Sequence, residues 1–425
     1  MRPSLRNSPL GIVFLAIACP SACAQVSCST SAITSASSQV ADTQHHLASI
    51  RMAEMDTDVS PSLQQDTSLL KQDLAKAVQA VLACQPIEAK PAAIRDALAH
   101  ILKANLPDPK PSEPVSSWGS DLHVTVDQTS SPQLLRVQLS YSIECGVDTM
   151  LFLFAPEQAH WSEKLLWQSP PYKDDSGAFG DFFLTAILPA KSPDDWRLVV
   201  AHGKPWCTSR FSGFGIDVLS PTSDPVHPQV LWHTERGYSR SDFTPTLKSS
   251  ADTFELRVHA DEMSFDIERA FERTVIYRYR VSGSNVTRLQ PIATSGRGFV
   301  EEWLSMPWPE AKDQTLPTNA EKVKPIHQLY ESSYTKNTDS YIAWTSGPVQ
   351  SCSAPCRFQV TFTAQLNKSV PGQPGVEKDE QVSYYFQIKQ ITNGYELESA
   401  SETPDPVCTG PDLMAKPDIK PANTH

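Results

Sequence analysis

The apolar residues of this chain change their spacing once, and that change constrains the fold more than any other feature. In SLLKQDLAKAVQAVLAC (68–84), apolar side chains recur every three or four residues, which predicts an amphipathic helix that ends before Pro86. After LPDPKPSEPVSS (106–117), a linker with four prolines, apolar and polar residues alternate instead. Alternation is typical of β-strands. We therefore expect a multidomain, β-rich protein with a helical N-terminal region.

The helical region spans residues 40–105. A second apolar stripe follows Pro91, a residue that suits the first turn of a helix, so we predict an antiparallel helical hairpin over 61–105. An earlier helix is predicted over 38–55. Residues 25–39 are small and polar, and we expect them to form a flexible segment.

The β-rich middle, residues 118–295, contains a rough internal repeat. The strand cores RVQL, RLVV and ELRV begin at 136, 197 and 255, and LLW, VLW and VTRL follow them at similar spacing. Each unit of roughly 60 residues reads as three strands joined by turns, and repeats of this kind bury themselves against their neighbours. Three units are too few to close a propeller. We expect an all-β middle built as a partial propeller-like stack or a β-sandwich.

Residues 296–408 predict an α+β block. A short helix, FVEEWL (299–304), carries Glu301 and Glu302, which we interpret as its solvated face. A second helix within 317–333 is expected to break or restart at Pro325. Four strands follow, the last two joined by the "NG" turn at 393–394. The acidic, Pro-rich residues 409–425 are expected to be a disordered tail.

Two resemblances rest on these segments. ERTVIYRYRVSGSNVTRLQPIA followed by FVEEWLSMPW, within residues 270–310, resembles a stretch of uncharacterised exported bacterial proteins. That resemblance implies export and supplies no activity or catalytic residue. The order of elements in the C-terminal block, helices and then an antiparallel meander, resembles the cystatin-like or nuclear-transport-factor-2-like (NTF2-like) fold.

The N-terminus predicts a signal peptide over residues 1–24. Arg2 and Arg6 precede the apolar run GIVFLAIA, and Ala22 and Ala24 fit a cleavage site before Gln25. The run is far shorter than the roughly 20 residues that span a bilayer, so no transmembrane anchor is expected. The cysteines of the leader lack the leucine of a lipoprotein signal at the third preceding position. We predict a secreted or periplasmic protein, and the sequence leaves open whether it is lipid-anchored.

Seven cysteines remain after the leader, and in an oxidising compartment they are disulfide candidates: Cys28, Cys84, Cys145, Cys207, Cys352, Cys356 and Cys408. An odd number leaves at least one of them unpaired within the chain. Cys145 and Cys207 occupy the first turn of neighbouring repeat units, so we predict that they pair. Cys28 lies where it could join Cys84 at the end of the first hairpin helix.

The three C-terminal cysteines leave two alternatives open. Cys352 and Cys356 flank a short turn and could form a tight ring, or one of them could pair with Cys408 beyond the last strand. The spacing does not match the Cys-x-x-Cys motif of redox enzymes, and no second Cys or His pair completes a zinc site. We therefore expect no metal and no cofactor.

Charge and motifs restrict the remaining function classes. The net charge is −12 and no Lys/Arg-rich run occurs, which argues against a nucleic-acid partner. The chain has no G-x-S-x-G nucleophile motif. Trp206, in a turn beside Pro205, is the tryptophan most suited to bind a ligand from a loop.

The sequence predicts an exported, non-catalytic binding or cell-envelope protein whose partner is an unknown ligand or envelope component. The alternative is a secreted hydrolase acting on carbohydrate or peptide, with a site between the β-repeat domain and the C-terminal domain. Whether the chain is an enzyme is left open at this stage.

Overall fold

The computed structural model describes residues 28–49, 59–103, 118–143, 146–169, 182–189, 195–204, 211–239, 245–261, 272–335, 342–369 and 377–413. Within these ranges the chain forms six helices and sixteen strands. The predicted signal peptide (1–24) and most of the tail lie outside the described residues. The Pro-rich linker (106–117) does as well.

Three helices open the described chain: α1 (Thr30–Ser49), α2 (Pro61–Leu82) and α3 (Pro91–Leu102). The Ser60 hydroxyl caps α2 by accepting a hydrogen bond from the Leu63 amide. Helices α2 and α3 agree with the predicted hairpin. The flexible segment predicted over 25–39 is wrong from Thr30 onward, because Ala36 is buried in the helical core and the Ser37 hydroxyl bonds to the Ile101 carbonyl.

The sixteen strands form four antiparallel sheets, each with its four strands in chain order. Sheet 1 contains β1 (His123–Ser130), β2 (Gln133–Ile143), β3 (Gly146–Glu157) and β4 (His160–Gln168). Sheet 2 contains β5 (Phe183–Leu188), β6 (Arg197–Lys204), β7 (Phe211–Ser220) and β8 (Gln229–Ser239). Sheet 3 contains β9 (Thr246–Ser250), β10 (Thr253–Asp261), β11 (Glu272–Ser282) and β12 (Asn285–Arg288). Sheet 4 contains β13 (Ile342–Ser351), β14 (Arg357–Ser369), β15 (Glu377–Ile391) and β16 (Gly394–Ser401).

Each repeat unit of the sequence corresponds to one of the first three sheets. The cores that begin at 136, 197 and 255 lie in the second strands, and LLW, VLW and VTRL lie in or at the end of the fourth strands. The prediction of three strands per unit is wrong, since every sheet has a fourth strand at its start. These first strands are short or polar; β9 (TLKSS) is almost wholly exposed and lacks an apolar alternation.

The first three sheets stack face to face in chain order, with the helices at one end. One face of sheet 1 packs against α1–α3, and Leu151 and Trp167 on its other face pack against Trp196 and Leu198 of sheet 2. The opposite face of sheet 2 packs against sheet 3. This layered burial explains why the strands of sheets 1 and 2 are apolar on both faces.

The C-terminal block contains α4 (Gly296–Ser305), α5 (Trp308–Asp313), α6 (Ala320–Thr335) and sheet 4. The helices cover one face of the sheet, around the fully buried Trp303. Helix α6 runs through Pro325, so the predicted break there is wrong. Val323 and Tyr330 on either side of the proline are buried in the same core, and their packing holds the two halves in one helix.

Candidate functional site

The residues that the sequence singled out for binding and for one disulfide lie outside the described part of the chain. These are Trp206, Cys145 and Cys207. The predicted Cys145–Cys207 disulfide and the predicted loop site at Trp206 therefore stay predictions. Of the seven cysteines that follow the leader, the other five lie within the described residues.

Two disulfides occur among the described residues. Cys28 is bonded to Cys84, which ties the start of α1 to the end of α2. Cys352 is bonded to Cys408, and Cys356 is a free, exposed cysteine. Of the two C-terminal alternatives, the structure thus contains the pairing with Cys408 rather than the tight ring.

The densest cluster of titratable groups on the stacked sheets surrounds Asp217 of β7. Its carboxylate accepts a hydrogen bond from the Trp167 indole at 2.9 Å and lies 2.6 Å from His233 Nδ1. His202 Nε2 is 3.6 Å away. The His202 ring fits because residue 215 is glycine: a Cβ there would lie 2.5 Å from the ring. Asp217 and these three partners come from four strands of two sheets.

The electrostatics of this cluster favour a fixed ion pair over a proton-transfer site. Burial alone would raise the pKa of Asp217, but hydrogen bonds from His202 and His233 outweigh it and hold that pKa well below its ordinary value. The hydrogen bond to Asp217, with help from Glu235, raises the pKa of His233. A general base at neutral pH works best with a pKa near 7, and the pKa of Asp217 lies far below that. The cluster instead fastens sheet 1 to sheet 2.

A second set of charges joins sheets 2 and 3 to the C-terminal helices. Arg273 pairs with Glu301 at 2.7 Å, and Arg288 pairs with Glu302 at 2.7 Å and with Glu310 at 3.1 Å. Both α4 glutamates are buried, so their interpretation as a solvated helix face is wrong. The arginines that make this burial possible lie on β11 and β12. The local sequence around α4 therefore gives no sign of them.

Lys71 and Asp148 form a third buried polar cluster, between α2 and sheet 1. Lys71 Nζ lies 3.1 Å from the Asp148 carboxylate, which also accepts hydrogen bonds from the Tyr141 and Ser169 hydroxyls. Lys71 Nζ also donates to the Ser169 hydroxyl. This buried pair links α2 to sheet 1.

The surface with the most distinctive chemistry is the outward face of sheet 4. Alternate residues on its strands point away from the helices, and adjacent strands place them side by side in rows. We define the uncharged face as these positions: Thr345, Gln359, Thr361, Thr363, Gln365, Gln381, Ser383, Tyr385, Gln387, Ser399 and Ser401. Every one of these side chains ends in a hydroxyl or an amide, and none carries a charge.

The rows follow from the strand register. Thr345 is paired with Thr363, and Thr363 with Ser383, so three hydroxyls lie side by side on adjacent strands. The Thr363 and Ser383 hydroxyls are 3.1 Å apart. In the next row Thr361 is paired with Tyr385, the one aromatic residue of the face.

Sheet 3 shows how different a solvent-facing sheet of the same chain can be. The face of β10 and β11 opposite the apolar core carries Glu255, Arg257, Arg278 and Arg280. Their charges are paired: Arg257 lies 2.6 Å from Glu255 on the same strand, and Arg278 of β11 lies 4.0 Å from Glu255. Polar outer faces are ordinary in antiparallel sheets. On sheet 4, charges of this face lie beyond the Gln359–Gln387 row, where Arg357 is paired with Lys389 and lies 2.8 Å from Glu398, and the rows of the uncharged face itself carry none.

One end of the uncharged face is covered by the C-terminal strap, residues 402–413. The Asp405 amide donates to the Gln359 side-chain oxygen at 2.7 Å, and the Gln350 amide group donates to the Gly410 carbonyl at 3.0 Å. The Cys352–Cys408 disulfide links the strap covalently to the end of β13. The rows nearer Thr363 lie beyond these strap contacts.

Neither the Asp217 cluster nor the uncharged face is among the sites predicted from the sequence. The face does leave a local signal: in QVTFTAQ (359–365) and QVSYYFQ (381–387), every second residue is polar and uncharged. The cluster leaves none, since its members come from β4, β6, β7 and β8 and meet only through tertiary packing.

A metal cluster and a membrane-spanning helix are both absent from the described ranges. No three His, Cys, Asp or Glu side chains there converge so as to hold a metal ion. No helix of the described chain is both long enough and apolar enough to cross a membrane. Comparison with known proteins adds no relative: no family model, no curated protein and no solved structure matches this chain.

Proposed function

We propose that this chain is an exported, non-catalytic binding protein whose uncharged face binds a neutral, polyhydroxylated polymer, such as a polysaccharide of the cell envelope. The observation that carries the proposal is the set of hydroxyl and amide side chains on sheet 4. Hydroxyls and amides both donate and accept hydrogen bonds, as the hydroxyls of a sugar do. A neutral ligand also removes no charged side chain from water on this face, so binding avoids that desolvation cost.

The geometry of the face favours a repeating ligand. Adjacent strands lie about 4.8 Å apart, and side chains on one face of a strand recur about every 6.8 Å. A polymer lying across the strands therefore meets the same kind of side chain at each step, for example the hydroxyls of Thr345, Thr363 and Ser383. Tyr385 adds an aromatic ring against which the apolar face of a sugar can pack.

Export is the second part of the proposal. It is supported by the predicted signal peptide and by the two disulfides, which persist in oxidising compartments. The resemblance of residues 270–310 to uncharacterised exported bacterial proteins agrees with this location. The ligand would then be an extracellular or envelope component.

We further propose that sheets 1–3 form a partial propeller-like stack that holds the helices at one end and the C-terminal block at the other. Each is a four-stranded meander, as propeller blades are, and each packs on the next in chain order. The pairing of the third and fourth strands shifts register at Leu153/Phe154 in sheet 1 and at Val218/Leu219 in sheet 2. A repeated irregularity supports a repeated unit. The resemblance of the C-terminal block to the cystatin-like or NTF2-like fold stays a proposal alongside it.

The hydrolase alternative places its site between the β-repeat and C-terminal domains. The acidic residues at that boundary, Glu301 and Glu302, are buried and paired with Arg273 and Arg288. Burial alone would raise the pKa of Glu302, but the charges of Arg288 and Arg273 outweigh it and keep that pKa below its ordinary value. A general acid needs the opposite shift, so the network supports a structural joint.

The test is affinity electrophoresis of the full chain in native gels that contain neutral glucans, mannans or galactans, with an acidic polysaccharide for comparison. We expect at least one neutral polymer to retard the protein. Thr363→Glu, which puts a charge in the middle of the face, should weaken binding about tenfold or more, since leaving a charge partly desolvated costs more than about 1.4 kcal/mol.

Thr287→Glu is the matched control, because Thr287 is an exposed threonine on a strand of sheet 3. It should bind as the wild type does. Retardation by no neutral polymer, or equal retardation of Thr363→Glu and wild type, would refute the proposal. Release of new reducing ends from a retained polymer would favour the hydrolase instead.

A further inference from the structure

Three cysteines meet at one end of sheet 4. Cys352 follows β13, and Cys356 precedes β14 in the same short connection, which is closed by a hydrogen bond from the Cys352 amide to the Arg357 carbonyl at 3.0 Å. The strap brings Cys408 to this connection: the Ser353 amide donates to the Val407 carbonyl at 3.0 Å, and Cys408 is bonded to Cys352. A free thiol and a disulfide therefore share one turn of the chain.

The position of Cys356 is fixed by its backbone. Its carbonyl accepts a hydrogen bond from the Gln390 amide at 2.7 Å, and its φ of 60° places it in the left-handed region. The residue is free and exposed to solvent. Thiolates attack neighbouring disulfides without any external oxidant, because one disulfide is formed as another is broken.

We propose that Cys356 exchanges with the Cys352–Cys408 disulfide and thereby releases the strap from the uncharged face. The Cys356 thiolate forms a bond to Cys352 Sγ while the Cys352–Cys408 bond breaks. The electron pair of the broken bond goes to Cys408 Sγ, which takes up a proton from solvent to replace the one that Cys356 lost. The number of thiols and disulfides does not change, so the step is neither an oxidation nor a reduction of the chain.

The consequence for the strap follows from its remaining attachments. Before exchange, a covalent bond connects residues separated by 56 positions in sequence. After exchange, the new disulfide lies within one turn, and only non-covalent contacts hold the strap, such as the hydrogen bonds of Asp405 to Gln359 and of Gly410 to Gln350 and the ion pair of Asp412 with Arg297. The strap then opens more readily and exposes the row that contains Gln359 and Gln387.

Peptide mapping tests the exchange. The full chain is held at pH 8 without added thiol, quenched in acid, alkylated and digested. We expect Cys408 to become alkylated with time, while the peptide that contains Cys352 and Cys356 is recovered with an internal disulfide. Cys356→Ser should keep Cys408 protected. The exchange is overturned if Cys408 stays unalkylated in the wild type, or if it is alkylated equally in Cys356→Ser, which would assign the attack to another thiol.

The effect on ligand binding rests on the proposed function and is measured separately. Cys408→Ser, which leaves Cys352 and Cys356 to pair with each other, mimics the exchanged form. It should bind the retained neutral polymer about fivefold more tightly than Cys356→Ser, a difference of about 1 kcal/mol, since the ligand then displaces a strap that no disulfide holds in place. Equal binding by the two variants would overturn the regulatory role. If neither variant binds any polymer while Cys408 is still exchanged, the proposed function fails and the exchange stands.

Discussion

Replacing Arg288 with methionine is expected to destabilise the joint between sheet 3 and the C-terminal block. The Arg288 side chain is 1% exposed, and its guanidinium bonds to Glu302 at 2.7 Å, to Glu310 at 3.1 Å and to the Ile276 carbonyl at 3.3 Å. It also lies 4.7 Å from the centre of the Tyr277 ring. Methionine fills most of the volume but supplies no charge and no hydrogen bond.

The magnitude follows from what the substitution leaves behind. Among the described residues, Glu302 then keeps Arg273, at 3.4 Å, as its ion-pair partner inside the protein. Removing one member of a buried ion pair typically costs about 3–5 kcal/mol, most of it the penalty of an uncompensated buried charge. For a cooperative unit of this size, that loss corresponds to a fall in melting temperature of about 10 °C.

Thermal and urea unfolding of the purified chain measure this loss. Arg280→Met is the matched control: Arg280 pairs with Asp252 at 3.4 Å, both side chains are more than half exposed, and such pairs contribute about 0–1 kcal/mol. Adding Glu302→Gln to Arg288→Met should recover part of the lost stability, because it removes the orphaned charge. A loss below about 1 kcal/mol for Arg288→Met, or no recovery in the double variant, would refute the reasoning.

Three further predictions concern the stacked sheets. The His233–Asp217 pair stabilises the fold most between about pH 4 and 6.5. Folding raises the pKa of His233, so the stability that His233 contributes is lost as the pH rises through its pKa in the folded state. Folding lowers the pKa of Asp217, so the stability that Asp217 contributes is lost only in stronger acid. The difference in melting temperature between wild type and His233→Gln should therefore be largest near pH 5.5 and shrink by pH 9; a difference independent of pH would contradict this. Gly215→Ala should lower the melting temperature clearly, because the new Cβ would lie 2.5 Å from the His202 ring, and unchanged thermal unfolding would be evidence against that contact. Lys71→Met should cost about 3 kcal/mol or more in urea unfolding, because it leaves a buried carboxylate of sheet 1 without its cation; a loss within about 0.5 kcal/mol would count against it.

Much of the fold is encoded in local patterns. Apolar and polar residues alternate in second strands such as β2 and β10, and this alternation predicts them as strands. It arises because at least one face of each strand must be buried. The hairpin helices are equally clear, since Pro61 and Pro91 mark their starts. The first strand of each sheet was not predicted, because an edge strand such as β9 buries few side chains and needs no apolar run.

The polar interior could not be predicted in the same way. Glu301 and Glu302 are adjacent charges on a short helix, a pattern that usually indicates a solvated surface. They are buried only because Arg273 and Arg288 face them from sheet 3. Such pairing depends on where two distant segments meet, which composition and periodicity do not specify. The Cys352–Cys408 bond is similar, since only the path of the strap decides between the two alternatives.

Hydroxyl-radical footprinting of Tyr385 tests the central claim most directly. Tyr385 is the one aromatic residue of the uncharged face, so its oxidation rate reports whether a ligand covers that surface. With a neutral polysaccharide that retards the protein in gels, we predict that oxidation of Tyr385 slows several-fold while that of Trp232, packed between sheets 2 and 3, does not change. Unchanged oxidation of Tyr385 when the polymer is bound would contradict the account and place the binding surface elsewhere.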